Sequence, residues 1–125
     1  MSRKSKILPY KTIDQGSLAT AQIIGKTTTV KETDVVQVNF EWSGAIAGLS
    51  GTIGVQATMS EDPTSPNAVW FDLDFGAVPP VTGASGKHQL IITQVSFLHI
   101  RPVYNKTGGS TGTLDATLFA TTRGA

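Results

Sequence analysis

The side chains in this chain that could do chemistry are few and widely spaced. Asp72 and Asp74 stand two apart, with Trp70 two positions before them. Paired carboxylates at that spacing can hold a hard cation or share a proton in acid–base work. A cation site needs further oxygen ligands, and none is suitably spaced; the polar face of a strand accounts for both residues. Glu61-Asp62 opens a Pro-containing segment, where acids are ordinary turn residues. His88 and His99 are the two histidines. A hydrolytic triad needs a nucleophile, a base and an acid that orients the base. No H-E-x-x-H pair is present, and the G-x-S-x-G string at 108–112 lies in a Gly-rich hairpin turn with no helix-length segment after it, so it does not read as a nucleophile elbow. The glycines around Gly51 and Gly108 lack a following Lys-Ser/Thr and a following helix, so they read as loops rather than a phosphate cradle. The expectation is a chain with no catalytic residue, no metal site and no cofactor, and therefore not an enzyme.

Contact chemistry is a better fit. Trp42 and Trp70 are large enough to stack on a sugar ring or anchor a protein contact. Trp42 prolongs an apolar strand face and reads as core. Trp70 shares a polar face with Asp72 and Asp74, where an aromatic side chain is a typical contact anchor. His99 alternates with Arg101 on another strand and fits either a contact or an ordinary half-buried position. Trp70, Asp72, Asp74, His99 and Arg101 together form a candidate interface or ligand patch.

The elements that must position these groups are strands. Val36, Val38, Phe40 and Trp42 alternate with Val35, Gln37, Asn39 and Glu41, the period of a half-buried strand. The same period recurs over 52–60, 69–75, 88–93, 95–104 and 114–121, with shorter β-branched segments at 20–24 and 27–30. Pro102 predicts an edge or a bulge in its strand, because proline cannot donate to a ladder. Gly, Pro, Ser, Thr and Asp separate the segments, and no helix-length apolar period competes. About eight strands at this spacing predict an all-β, single-domain, antiparallel β-sandwich wound like a jelly roll.

A chain of 125 residues is one domain in length and can bury about two thirds of its unfolded surface. It has no cysteine, which excludes disulfides and thiolate metal sites. No apolar run reaches membrane-spanning length, and the first eleven residues lack the apolar stretch of a signal peptide. Four of the ten basic residues (Arg3, Lys4, Lys6 and Lys11) precede the first acid, Asp14, leaving six bases against nine acids beyond them. This asymmetry predicts a basic extended arm over 1–18 and a mildly acidic β-sandwich body over 19–125. Ile7, Leu8, Tyr10 and Ile13 are interspersed with the basic residues, so the arm combines charge with apolar surface and is expected to dock on a neighbouring subunit. On that reading, removing 1–13 leaves a folded body that no longer docks. The body lacks a basic stripe with interleaved aromatics, so neither direct nucleic-acid binding nor a membrane partner is expected.

Several segments also carry a resemblance. Phe40-Glu41-Trp42-Ser43-Gly44, the run from Gly51 to Ser60, Trp70-Phe71-Asp72-Leu73, the run from Phe97 to Tyr104 and the Gly-rich turn into Thr113-Leu114 follow one another in a succession that resembles small β-sandwich virion proteins of tailed bacteriophages. It covers residues 36–120 and consists of strand and turn patterns. The resemblance implies a non-enzymatic virion protein made in the bacterial host cytoplasm. Its partners would be the major capsid protein and further copies of itself, in the manner of a capsid cement or decoration protein. A tail, collar or fibre-associated component is the alternative within that class, and a carbohydrate- or receptor-binding module the alternative outside it.

Overall fold

A computed structural model describes residues 6–44, 51–82, 84–108 and 111–122. These form nine strands: β1 (Lys6–Ser17), β2 (Gln22–Ile24), β3 (Thr28–Thr29), β4 (Val35–Ser43), β5 (Gly51–Thr58), β6 (Phe71–Asp72), β7 (Ser85–Ile92), β8 (His99–Lys106) and β9 (Thr113–Thr121). They build two antiparallel sheets. One runs β1-β9-β4-β7; the other runs β2-β8-β5-β6, with β3 also pairing to β8. Between β3 and β5, and again from β6 to β9, each connection passes from one sheet to the other, which is the winding of a jelly roll. Counting β2 and β3 as one interrupted strand gives the expected eight.

The core follows from the alternation. Val36, Val38, Phe40 and Trp42 of β4 are buried, as are Leu114, Ala116, Leu118 and Ala120 of β9. The pairing sets large against small: Phe40 lies opposite Ala116, and Val36 opposite Ala120. Ile53, Val55 and Ala57 of β5, with Ile100 and Tyr104 of β8, supply the facing layer. Each large apolar side chain buried this way contributes about 1.5–3 kcal/mol. On the other flank of β4, Trp42 lies opposite Gly86. A Cβ on Gly86 would sit 2.5 Å from the indole, so the bare backbone of β7 is the bed for the ring. The indole N–H donates to the Thr82 carbonyl at 3.1 Å.

Three expectations change. First, residues 6–17 are not an arm beside the body: they are β1, an integral strand paired with β9. Ile13 is buried in this chain's own core, and Ile7 and Tyr10 pack against it. The reason is β9, whose second edge would otherwise be unpaired.

Second, Pro102 sits in a central strand, not at an edge. Its carbonyl accepts the Gly25 N–H at 2.8 Å, which directs its ladder positions toward β2 and β3. Between those two strands the chain leaves the sheet, and the next donor, Lys26 N–H, goes to Thr12 of the other sheet at 2.9 Å. No acceptor therefore waits for the N–H that proline lacks. A Cβ on Gly25 would come within 2.4 Å of the Pro102 ring, so only glycine passes there.

Third, the 69–75 segment shortens to β6. Asp74 accepts the Gly76 N–H at 2.8 Å, and Gly76, at φ 75°, turns the chain away. Asp72 and Asp74 thus do not share a strand face. Phe71 lies opposite buried Ala57 and so on the core side of the sheet, yet it is exposed because β6 is the outermost strand.

Candidate functional site

Antiparallel register places side chains opposite one another on the same face. Gln56 of β5 lies opposite Arg101 of β8 on one side and Asp72 of β6 on the other. The three form a row on the outer face of the second sheet. Arg101 Nε donates to Gln56 Oε1 at 2.9 Å, and Gln56 Nε2 donates to Asp72 Oδ1 at 3.1 Å. The indole of Trp70 covers the guanidinium, with Arg101 Cζ 3.9 Å from the ring centroid. Such a stack contributes about 0.5–1 kcal/mol when exposed and about 2 kcal/mol when dry. Partial burial of Arg101 lowers its pKa from the ordinary guanidinium value, without bringing it near neutrality.

The row runs cation, amide, anion. An amide cannot relay a proton between its neighbours as a general acid or base does, so the arrangement suits hydrogen bonding and stacking with a partner rather than proton transfer. Met59 and Val69, at the ends of the loop joining β5 to β6, are exposed apolar side chains, and Phe71 is exposed on the opposite, core side of β6.

The other expected members of the patch lie elsewhere in function. His99 is buried, and its Nδ1 is 3.0 Å from Thr29 Oγ1. It ties β8 to β3, whereas Arg101 reaches toward β5. Asp74 shapes the turn at Gly76. Asp62 accepts the Thr64 hydroxyl at 2.6 Å and the Thr64 N–H at 3.0 Å, and these bonds hold its carboxyl below the usual range. That is a turn cap made of one carboxylate.

Of the residues expected to grip a neighbour, Ile7, Tyr10, Lys11 and Ile13 have partners within the chain. Lys11 Nζ lies 3.4 Å from Asp115 and 3.6 Å from Asp14, and the hydrogen bond to Asp115 raises its pKa above the ordinary value. The Tyr10 hydroxyl is hydrogen-bonded to that of Thr28, which links the two sheets. Lys6 and Leu8 belong to β1, and Arg3 and Lys4 lie outside the described residues. Sequence reasoning missed Gln56, the centre of the polar row. Its outward direction was legible from the alternation, but its two partners depend on register.

His88 borders an open concavity of about 470 Å³ lined also by Asn39, Phe40, Glu41, Lys87 and Gln89. No hydroxyl or thiol is among those side chains. Among the described residues, no group of three or more His, Asp or Glu is placed to hold a metal ion.

No protein-family model matches the chain, and no curated protein matches it. Among solved structures, it is similar to a chain in the structure of the infectious bursal disease virus Gx strain, with 14% identity and a TM-score of 0.57. The match covers 98% of this chain and 33% of the other, so this chain spans about one third of that relative's length. At this identity the likeness is one of fold.

Proposed function

We propose that this chain is a structural protein of a virus particle, with a capsid cement or decoration protein of a tailed bacteriophage as the specific form. The observation that carries the reading is the jelly-roll winding: nearly the whole chain superposes on a third of a chain from a virus structure. The step from shared fold to shared role is an analogy, and the phage class rests on the strand-and-turn resemblance of residues 36–120.

In this role the sandwich is a stiff body whose outer faces meet the major capsid protein and further copies of itself. The row of Arg101, Gln56 and Asp72, with Trp70 stacked on Arg101, is the face best equipped for such a contact. Each contact can be individually weak, because many copies acting together on one shell add through avidity.

Quantitative mass spectrometry of purified particles tests the proposal. Copies numbering in the hundreds support a shell protein. A dozen or fewer support a tail or collar component instead, and absence from particles overturns the virion reading. A carbohydrate- or receptor-binding module is the second reading, favoured by the Trp70 indole stacked on Arg101 beside the Gln56–Asp72 pair. A glycan array probed with the isolated protein separates it from the first.

A further inference from the structure

A β-sheet has two open edges, and natural proteins blunt them to prevent unwanted pairing. Three of the four edges here are blunted. The β1 edge carries register shifts between Ile7 and Tyr10, Lys11 and Ile13, and Ile13 and Gly16, with Pro9 in the first of them. The edge of the second sheet beside β8 is split into the short strands β2 and β3. The edge beside β5 is the two-residue β6. The fourth, β7, has none of these devices. Its eight residues pair with β4 in unbroken register from Gly86 opposite Trp42 to Ile92 opposite Val36, and Ser85 opposite Ser43. No described strand lies along its other side.

The direction of the free groups on β7 follows from its ladder. Gly44 N–H donates to the Ala84 carbonyl at 2.6 Å, one residue beyond the Ser43–Ser85 pair. Hydrogen-bonded pairs then recur at every second residue, so Gly86, His88, Leu90 and Ile92 bond to β4. Ser85, Lys87, Gln89 and Ile91 point their N–H and C=O groups away from the sheet. Their side chains are the exposed ones of the strand.

We infer that this edge pairs antiparallel with the β7 edge of a second copy of the chain, about a two-fold axis at Gln89, fusing two four-stranded sheets into one. A two-fold normal to the sheet keeps outer faces continuous, so a residue with an outward side chain must meet another of the same kind. An axis at Gln89 satisfies this. It sets Gln89 opposite Gln89 and Lys87 opposite Ile91, so no like charges face each other across the pair. About six main-chain hydrogen bonds close the edge. Gln89 Nε2 already donates to Gln37 Oε1 at 2.9 Å. The axis extends that bond into a row of four glutamines across both copies. An axis at Lys87 would instead stack two ammonium groups. The sequence of β7 is thus self-complementary about its fifth residue. The inference does not rest on the virion reading, and a chain dimeric through β7 but absent from particles would overturn that reading alone.

Sedimentation of the full chain from about 1 μM to about 1 mM tests it. A concentration-dependent monomer–dimer equilibrium is expected. Gln89→Pro removes an N–H that points away from β4, so the variant should keep its far-ultraviolet circular dichroism and weaken association by about tenfold or more. Gln89→Lys and Gln89→Glu should each associate poorly alone and form a heterodimer when mixed. A wild-type chain that stays monomeric throughout overturns the inference. So does a folded Gln89→Pro variant with undiminished association, or charge variants whose mixture associates no better than each alone.

Discussion

The two edge strands of the four-stranded sheet, β1 and β7, meet opposite conditions. β1 is bulged, anchored by side chains and unsuited to further pairing. Ile13 enters the core, Tyr10 bonds to Thr28 of the other sheet, and Gln15 takes the left-handed φ of 50° while its N–H donates to Asp115 at 2.8 Å. Just beyond the strand, the carbonyl of fully buried Leu18 accepts the Tyr104 hydroxyl at 2.7 Å. β7 has a regular backbone, a glycine bed for Trp42 and no described strand along its outer edge. A strand held by irregular anchors belongs to the chain's own stability. A strand held by an unbroken ladder on one side leaves the other available.

The largest test of this difference is removal of β1. Deleting residues 1–13 takes Ile13 from the core and strips one edge of β9 of most of its ladder. The expected outcome is loss of a cooperative thermal transition, since small domains have only about 5–15 kcal/mol of stability to lose. Ile13→Ala, the milder version, should cost about 2–5 kcal/mol in urea denaturation. A truncated chain that melts near the wild-type midpoint would return residues 6–17 to the status of an arm.

Two neighbouring prolines on β7 give a finer test. His88 N–H belongs to the ladder with β4, whereas Gln89 N–H faces outward. His88→Pro should therefore cost about 1–3 kcal/mol from the orphaned acceptor on Phe40, with more from distortion. Gln89→Pro should leave the monomer's stability little changed. Equal losses in denaturant titrations of the two would show that the assigned ladder phase is wrong.

The smallest effect lies back on β1. The pKa of Lys11 is raised in the fold by Asp115 and then Asp14. A raised lysine contributes its stability in full below the ordinary value of 10.5, and loses it as pH climbs through the higher folded value. The thermal midpoint should decline slightly more in that alkaline window for wild type than for Lys11→Met. Parallel curves would remove the ion pair from the account of β1.

Much of the outer patch was legible before the fold. Trp70, Asp72 and Arg101 were singled out by type and alternation, and register brings them together through Gln56. His99 was placed on the face of Arg101, but its neighbour Thr29 makes it a tie between strands. Asp74 lost its place beside Asp72 because a turn at Gly76 competes with strand continuation. The basic N-terminal segment misled for a related reason. Its charge count was visible, but the demand of β9 for a second partner was not.

The sequence alone determined that this chain is built of strands and which side of each main strand is apolar. Alternation with period two is local: it follows from where successive Cβ atoms point and from the cost of leaving apolar surface in water. Only the tertiary structure decided which strands are edges, why Pro102 can sit in the middle, and which polar side chains meet. Those facts depend on backbone pairing between distant segments, such as Tyr10 with Leu118 and Val55 with Pro102. Apart from proline, every residue offers the same backbone N–H and C=O, so sequence carries little record of which partner they find.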